Sequence, residues 1–220
     1  MAEIGHRLLL DQFQNTPVFW EQFEIAQCIV ALRDPSVLPR LASWLSNEDR
    51  HQRGNAAFIF ASLGDKRGFE VIRSILNDRS WRPEGQGIGV VVRLHDAPYN
   101  AEPQIAADRY YAAHLLGDLK DARAVPILVQ LLGDQEVNYI APWSLAEIGD
   151  KRAVAPLIRT LADKNPSMRV LAIYALEKLR AKDALPALYL LLNDNEKSNF
   201  GDLVSVAEAA KAAIAKLQPH

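Results

Sequence analysis

The sequence predicts an all-α chain, a right-handed α-solenoid of about five to six stacked helix pairs, and three observations carry that prediction. Pro126, Pro156 and Pro186 recur thirty residues apart, each inside one apolar phrase at 124–128, 154–158 and 184–188. A small-residue phrase follows in step: Asn55-Ala56-Ala57-Phe58, Tyr111-Ala112-Ala113-His114, Ile140-Ala141-Pro142-Trp143, Leu171-Ala172-Ile173-Tyr174 and Ala209-Ala210-Lys211-Ala212. The composition, 49% hydrophobic over 220 residues with few strand-like runs, suits stacked helices. A period of this size marks helix pairs that bury their apolar faces only by stacking on their neighbours.

Taken in order, residues 3–14 and 17–33 read as an N-terminal helix pair, with Thr16 as the cap and Pro17 at the first helical position. First helices of the units follow near 35–46, 65–77, 121–132, 150–162 and 181–193. Second helices follow near 48–63, 104–117, 134–148, 165–179 and 203–217. The proline phrase also appears at Val37-Leu38-Pro39, and Phe69 takes the proline's place one period later. A proline one turn into a helix sets a bend, so a recurring bend is expected. The whole chain, 1–220, reads as one domain: 1–33 the N-terminal pair, 34–78 and 104–217 the repeats, 79–103 one long irregular insertion.

That insertion carries Gly85, Gly87 and Gly89 with Pro83, Pro98 and Pro103, which opposes a helix. An ordered loop with a short extended stretch at 88–94 is expected, because a long structureless loop is uncommon in a compact domain unless it works. Its glycines form no nucleotide site, since no Lys-Ser/Thr follows them. A second break, 195–203, lengthens the last unit. Both breaks fall at the turn from first to second helix, which would place Trp81, Arg82, Tyr99, Asn199 and Phe200 along one edge.

Leu63-Gly64-Asp65-Lys66-Arg67 and Ile148-Gly149-Asp150-Lys151-Arg152-Ala153-Val154 give the array a family likeness. It resembles the HEAT-like repeats of the phycobilin-lyase (PBS lyase) type over roughly residues 34–217. The resemblance implies an armadillo-like stack whose second helices line a concave surface. It does not imply one function, since such repeats occur in scaffolds, adaptors, chromophore lyases and a few DNA-repair enzymes.

On that implied surface Phe58, His114, Trp143, Tyr174 and Ala212 form one column, and Gly54, Tyr110, Tyr139, Val170 and Glu208 form its neighbour. Aromatic rings on a small-residue stripe make a trough suited to a peptide or a partner's helix. The alternative is that they pack between repeats. A third column, Arg53, Arg109, Asn138 and Arg169, has Asn47 and Asp163 six residues before Arg53 and Arg169. It reads as a ladder between units, with an anion site as the alternative.

Other classes are poorly supported. A net charge of −2 argues against nucleic acid as a partner, and the pairs Lys66-Arg67 and Lys151-Arg152 read as solvated turn residues. The histidines lack paired metal spacing, so neither metal nor cofactor is expected. His114 has no recognisable nucleophile beside it and reads as polar lining. No apolar run approaches the roughly 20 residues of a membrane span, and the start lacks a leader-like core, so a cytoplasmic protein is expected. Cys28, the one cysteine, sits in an apolar phrase and is expected to be buried.

The functional expectation is a non-enzymatic scaffold or adaptor, or more narrowly an inhibitor or immunity protein. It would bind another protein or peptide through Tyr110, His114, Tyr139, Trp143 and Tyr174 with the edge residues Trp81, Arg82, Tyr99 and Phe200. Two alternatives stand beside it. One is a bilin lyase or chaperone-like subunit; the other is an alkylpurine DNA glycosylase, for which Trp143 and Glu147 lie one turn apart on a helix.

Overall fold

The computed structural model describes residues 2–80, 103–199 and 203–218. The expectations placed on Trp81, Arg82, Tyr99 and Phe200, and on an extended stretch at 88–94, lie outside those residues. The described residues are all-α, built of stacked helix pairs of the α-solenoid class, and they group into two units that meet in sequence at Leu119 and Lys120.

Unit one holds α1 (Ala2–Asn15), α2 (Phe19–Ala31), the short α3 (Leu38–Leu41), α4 (Arg50–Ser62), α5 (Lys66–Asn77) and α6 (Pro103–Asp118). Apolar spacing sets each face: α5 buries Phe69, Ile72, Ile75 and Leu76, and α2 buries Phe19, Phe23, Ala26 and Ile29. Helix α4 is buried over most of its surface because α2, α5 and α6 all pack on it. Its closest neighbour is α5, where a Cβ on Gly68 would collide with the Ala57 carbonyl and the Ala61 backbone nitrogen. Only glycine permits that approach.

Unit two holds α7 (Val125–Leu131), α8 (Ala141–Ile148), α9 (Val154–Thr160), α10 (Pro166–Lys178), α11 (Leu185–Leu190) and α12 (Val206–Leu217). Pairs α7–α8, α9–α10 and α11–α12 pack internally, and the second helices lie side by side, α8 on α10 and α10 on α12. Leu128, Leu145, Leu157, Ile173 and Leu188 are fully buried between them.

The repeat is punctuated by backbone as much as by side chain. Helices α2, α4, α6, α8 and α10 each end near a left-handed residue: Arg33 at φ 54°, Gly64 at 89°, Lys120 at 52°, Gly149 at 76° and Arg180 at 52°. The next residue caps the following helix in four cases, where Asp34, Asp65, Asp121 and Asp150 each accept the backbone N–H two residues on. Ala181 in the fifth case makes no such bond.

Several expectations are corrected here. Arg67 and Arg152 are not merely solvated: each pairs with the cap aspartate two residues before it at 2.7 Å, and Arg152 also donates to the Ala122 carbonyl at 2.9 Å. The prolines do not bend helix interiors. Pro39, Pro126 and Pro186 are the second residues of α3, α7 and α11, each just after a 3-10 turn, where a missing N–H leaves no ladder bond unmade. Pro156 stands one residue later, in the first turn of α9. Thr16 is no cap: α2 follows Val18 without a side-chain cap, and the Thr16 hydroxyl donates back to the Gln12 carbonyl at 2.7 Å, closing α1. Cys28 is exposed, because the buried face of α2 runs through positions 19, 22, 23, 26 and 29 and leaves 28 outside.

At the second break the chain is tied down on both sides. The Ser198 N–H donates to Val204 and the Val206 N–H to Glu196, each at 3.0 Å, around an antiparallel bridge between Lys197 and Ser205. Exposed Asn199 donates its backbone N–H to Ser167 Oγ at the start of α10, 2.8 Å away. Ser205 then opens α12 with a reciprocal capping box to Glu208.

Candidate functional site

In unit one, α2, α4 and α6 bring polar groups into an apolar stack, and each is satisfied in turn. Buried Gln22 donates to the Phe13 carbonyl at 2.9 Å and accepts from Asn55 Nδ2 at 2.8 Å. Asn55 also donates to the Phe19 carbonyl at 2.8 Å, and its Oδ1 accepts the hydroxyl of buried Tyr111. Burial, with the Asp118 and Asp49 charges added, pushes the Tyr111 hydroxyl well above its usual range. The Tyr111 phenol therefore acts as a fixed donor.

Aromatic rings surround this network. The Trp20 ring stands edge to face with Tyr111 at 5.0 Å and with His114 at 5.7 Å; Phe23 lies 6.5 Å and Tyr110 6.4 Å from His114. Trp20, Tyr110 and His114 are half-buried, so this cluster meets solvent along one side. One turn along α6, Asp118 Oδ2 lies 2.8 Å from His114 Nδ1. The carboxylate lies beside the ring and pairs with it when the imidazole carries a charge. Sequence reading named Tyr110 and His114 but missed Trp20 and Asp118. The i, i+4 spacing of His114 and Asp118 was the available signal.

Beside this cluster lies a buried charge group. Arg50, 4% exposed, pairs with fully buried Asp108 at 3.0 Å and with Asp78 at 2.7 Å, and donates to the carbonyl and hydroxyl of Ser80. Partial burial raises the Asp78 carboxyl, but hydrogen bonds from Ser80 and the Arg50 charge outweigh it and hold the group below its usual value. His51 stacks on Phe19 at 4.3 Å with Nδ1 3.4 Å from Asp108. Arg50 joins the start of α4 to α6 and to the end of α5, a structural role.

The arginine column does reach between elements, mainly through backbone carbonyls. Arg53 donates to the Asn47 carbonyl and Arg169 to the Asp163 carbonyl, both at 2.7 Å, while Arg109 reaches Leu76 at 2.9 Å. Arg169 also pairs with Asp194 at 3.0 Å and Glu196 at 2.5 Å. Six-residue spacing thus marks a carbonyl at a helix end, not a carboxylate partner.

In unit two the expected aromatics differ in exposure. Tyr139 and Trp143 are half-buried and Tyr174 is 47% exposed, on a helix whose other faces are largely covered. In unit one, Phe58 is buried against Phe23 at 5.0 Å and belongs to the core. Glu147 pairs with Lys178 and Glu177 with Lys216, linking α8 to α10 and α10 to α12. The carboxylate that a glycosylase reading would need is thus engaged with a lysine. No helix among the described residues is long and apolar enough to cross a membrane.

The comparisons with known proteins agree with this geometry. Residues 133–200 match the HEAT repeats family, and residues 108–134 match the PBS lyase HEAT-like repeat family. A bilin biosynthesis protein, PecE, from Nostoc sp. is 30% identical over 159 residues, covering 70% of this chain and 56% of that protein. Its namesake from Mastigocladus laminosus is 37% identical over 83 residues, 36% of this chain and 31% of that protein. The chain therefore spans little more than half the length of the first relative and about a third of the second. Helix pairs, left-handed punctuation and the two repeat matches converge: the chain carries HEAT-like repeats, matched over residues 108–200 and of the PBS lyase HEAT-like type at 108–134.

Proposed function

We propose that the chain handles a bilin, as a chromophore lyase or chaperone-like subunit that holds a linear tetrapyrrole against the aromatic cluster of α2 and α6. The observation that carries this reading is the likeness to two proteins named for bilin biosynthesis, one of them over 70% of the chain. The cluster supports it: Trp20, Tyr110 and His114 offer flat, partly exposed rings above a rigid, hydrogen-bonded base. Titrating the intact chain with biliverdin and following visible absorbance tests it. A saturable spectral change that Trp20→Leu weakens about tenfold is expected, the loss of about one ring contact. Absence of any saturable change sinks the reading.

A protein partner is the companion proposal, favoured by the exposure of Tyr174 on a helix otherwise largely covered. Tyr139, Trp143 and Tyr174 of unit two would meet that partner, since exposed tyrosine and tryptophan give large contact area at low entropy cost. Trp143→Ala with Tyr174→Ala should abolish capture of a bilin-accepting protein while the melting temperature stays at the parent value. A matching loss of stability would make both rings part of the core instead.

A further inference from the structure

We infer that unit two carries a docking face for an acidic segment of a partner protein, which lays apolar side chains on Trp143 and Tyr174 and carboxylates on Lys178 and Lys216. This rests on the protein-partner reading above and deepens it by fixing the partner's charge. Trp143 of α8, Tyr174 of α10 and Ala212 of α12 hold equivalent places in successive repeats. Glu147, Lys178 and Lys216 stand four residues after them, one turn along the same helices and on the same face. Rings and charges therefore form two adjoining rows across three helices that pack side by side. At about 10 Å per stacked helix the rows run roughly 20 Å, the span of a chain segment. The small Ala212 ends the ring row, and Tyr174 on the neighbouring helix is 47% exposed.

The charge row presents one sign to solvent. Lys178 pairs with Glu147, and Lys216 with Glu177 at 2.6 Å, yet the lysine side chains are 51% and 65% exposed while their glutamates are 18% and 21% exposed. The carboxylates are recessed and the ammonium groups project. An ammonium has three N–H donors, and among the described residues each of these lysines makes one hydrogen bond, to its glutamate. Exposed pairs of this kind add little stability, so a ladder between repeats does not by itself account for lysine at both places. The acid of this face lies on the far side of the ring row: Glu208, one turn before Ala212, is engaged with Ser205 in the α12 capping box. A partner's carboxylates would find unfilled donors on Lys178 and Lys216 while its apolar side chains cover the rings; a basic segment would be repelled there.

Fluorescence anisotropy of the intact chain with two labelled peptides tests this: one of leucine and glutamate, the other its twin with lysine at every glutamate. The acidic peptide should bind about tenfold more tightly, the combined effect of two exposed ion pairs. General attraction would favour the twin, since the chain's net charge is −2. Lys178→Gln with Lys216→Gln should bring the two peptides level at an unchanged melting temperature, whereas Tyr174→Ala should weaken both alike and keep their ratio. A twin that binds the parent as tightly as the acidic peptide overturns the inference, as does a ratio unmoved in the double lysine variant; either result leaves the docking face itself standing. Binding of neither peptide overturns the partner reading on which the inference rests. Should the lysine variant fail to fold, salt decides the matter: a preference in the parent that persists at about 1 M salt, where charges are screened beyond about 3 Å, overturns the inference.

Discussion

Asp121 and Asp150 each perform two tasks with one carboxylate, capping a helix start and gripping the arginine two residues on. Hydrogen bonding from that arginine holds both carboxyls, and likewise Asp65, below the ordinary value, for Asp150 at about 2. Because the folded form resists protonation, the caps stabilise the protein fully above roughly pH 4, the value of a free carboxylate, and that contribution is lost as pH falls below it, for Asp150 as pH falls toward about 2. Asp121→Ala should cost about 1 kcal/mol at neutral pH, and the gap in melting temperature from the parent should close as pH falls below the ordinary carboxylate value of roughly 4, since the folded-state carboxyl is held below it. Left-handed Lys120 and Arg180 stand where other repeats use Gly64 and Gly149. Replacing either by glycine should raise stability by about 0.5–1 kcal/mol in urea denaturation, relieving the Cβ clash while giving back part of the gain as unfolded-state entropy. Only the Gly-Asp pairs of this punctuation were legible in sequence, because a lysine or arginine at the same spot carries no visible mark of its φ.

At the scale of elements, α4 is held by a polar chain and by one close approach. Asn55 joins α2 to α6 through Gln22, the Phe19 carbonyl and the Tyr111 hydroxyl, all buried. Asn55→Ala should therefore cost about 2–3 kcal/mol, since it strands partners that water cannot reach; a cost no larger than that of a surface substitution would show that the chain of bonds is dispensable. Gly68→Ala should cost about 1–3 kcal/mol by prising α5 from α4, as read from the denaturation midpoint. Helix positions themselves were predictable to within a few residues from apolar spacing and proline phrases. Predicting a bend at each proline failed because the sequence does not show where a 3-10 turn hands over to an α-helix.

Within each unit of the molecule, helix pairs packed on their neighbours make stability a sum of local terms. Asn55→Ala should then accelerate amide exchange in α2, α4 and α6 while α10 and α12 keep parent rates; uniform acceleration throughout the chain would refute this local accounting. The sequence by itself determined the fold class, the repeat family, the helix pairs and several aromatic candidates, because periodic burial must be written into residue spacing wherever every unit packs on its neighbour. It named His114 and Tyr110 and favoured Trp143 and Tyr174 over Phe58 as exposed rings, but a shared register carries no measure of how far their exposures differ. Tertiary structure alone buried Phe58 against Phe23, brought Trp20 from α2 to His114 on α6, and joined Arg50 to Asp108. Those contacts join helices far apart in sequence, and their partners are set by how whole helices stack, a choice that no local pattern records.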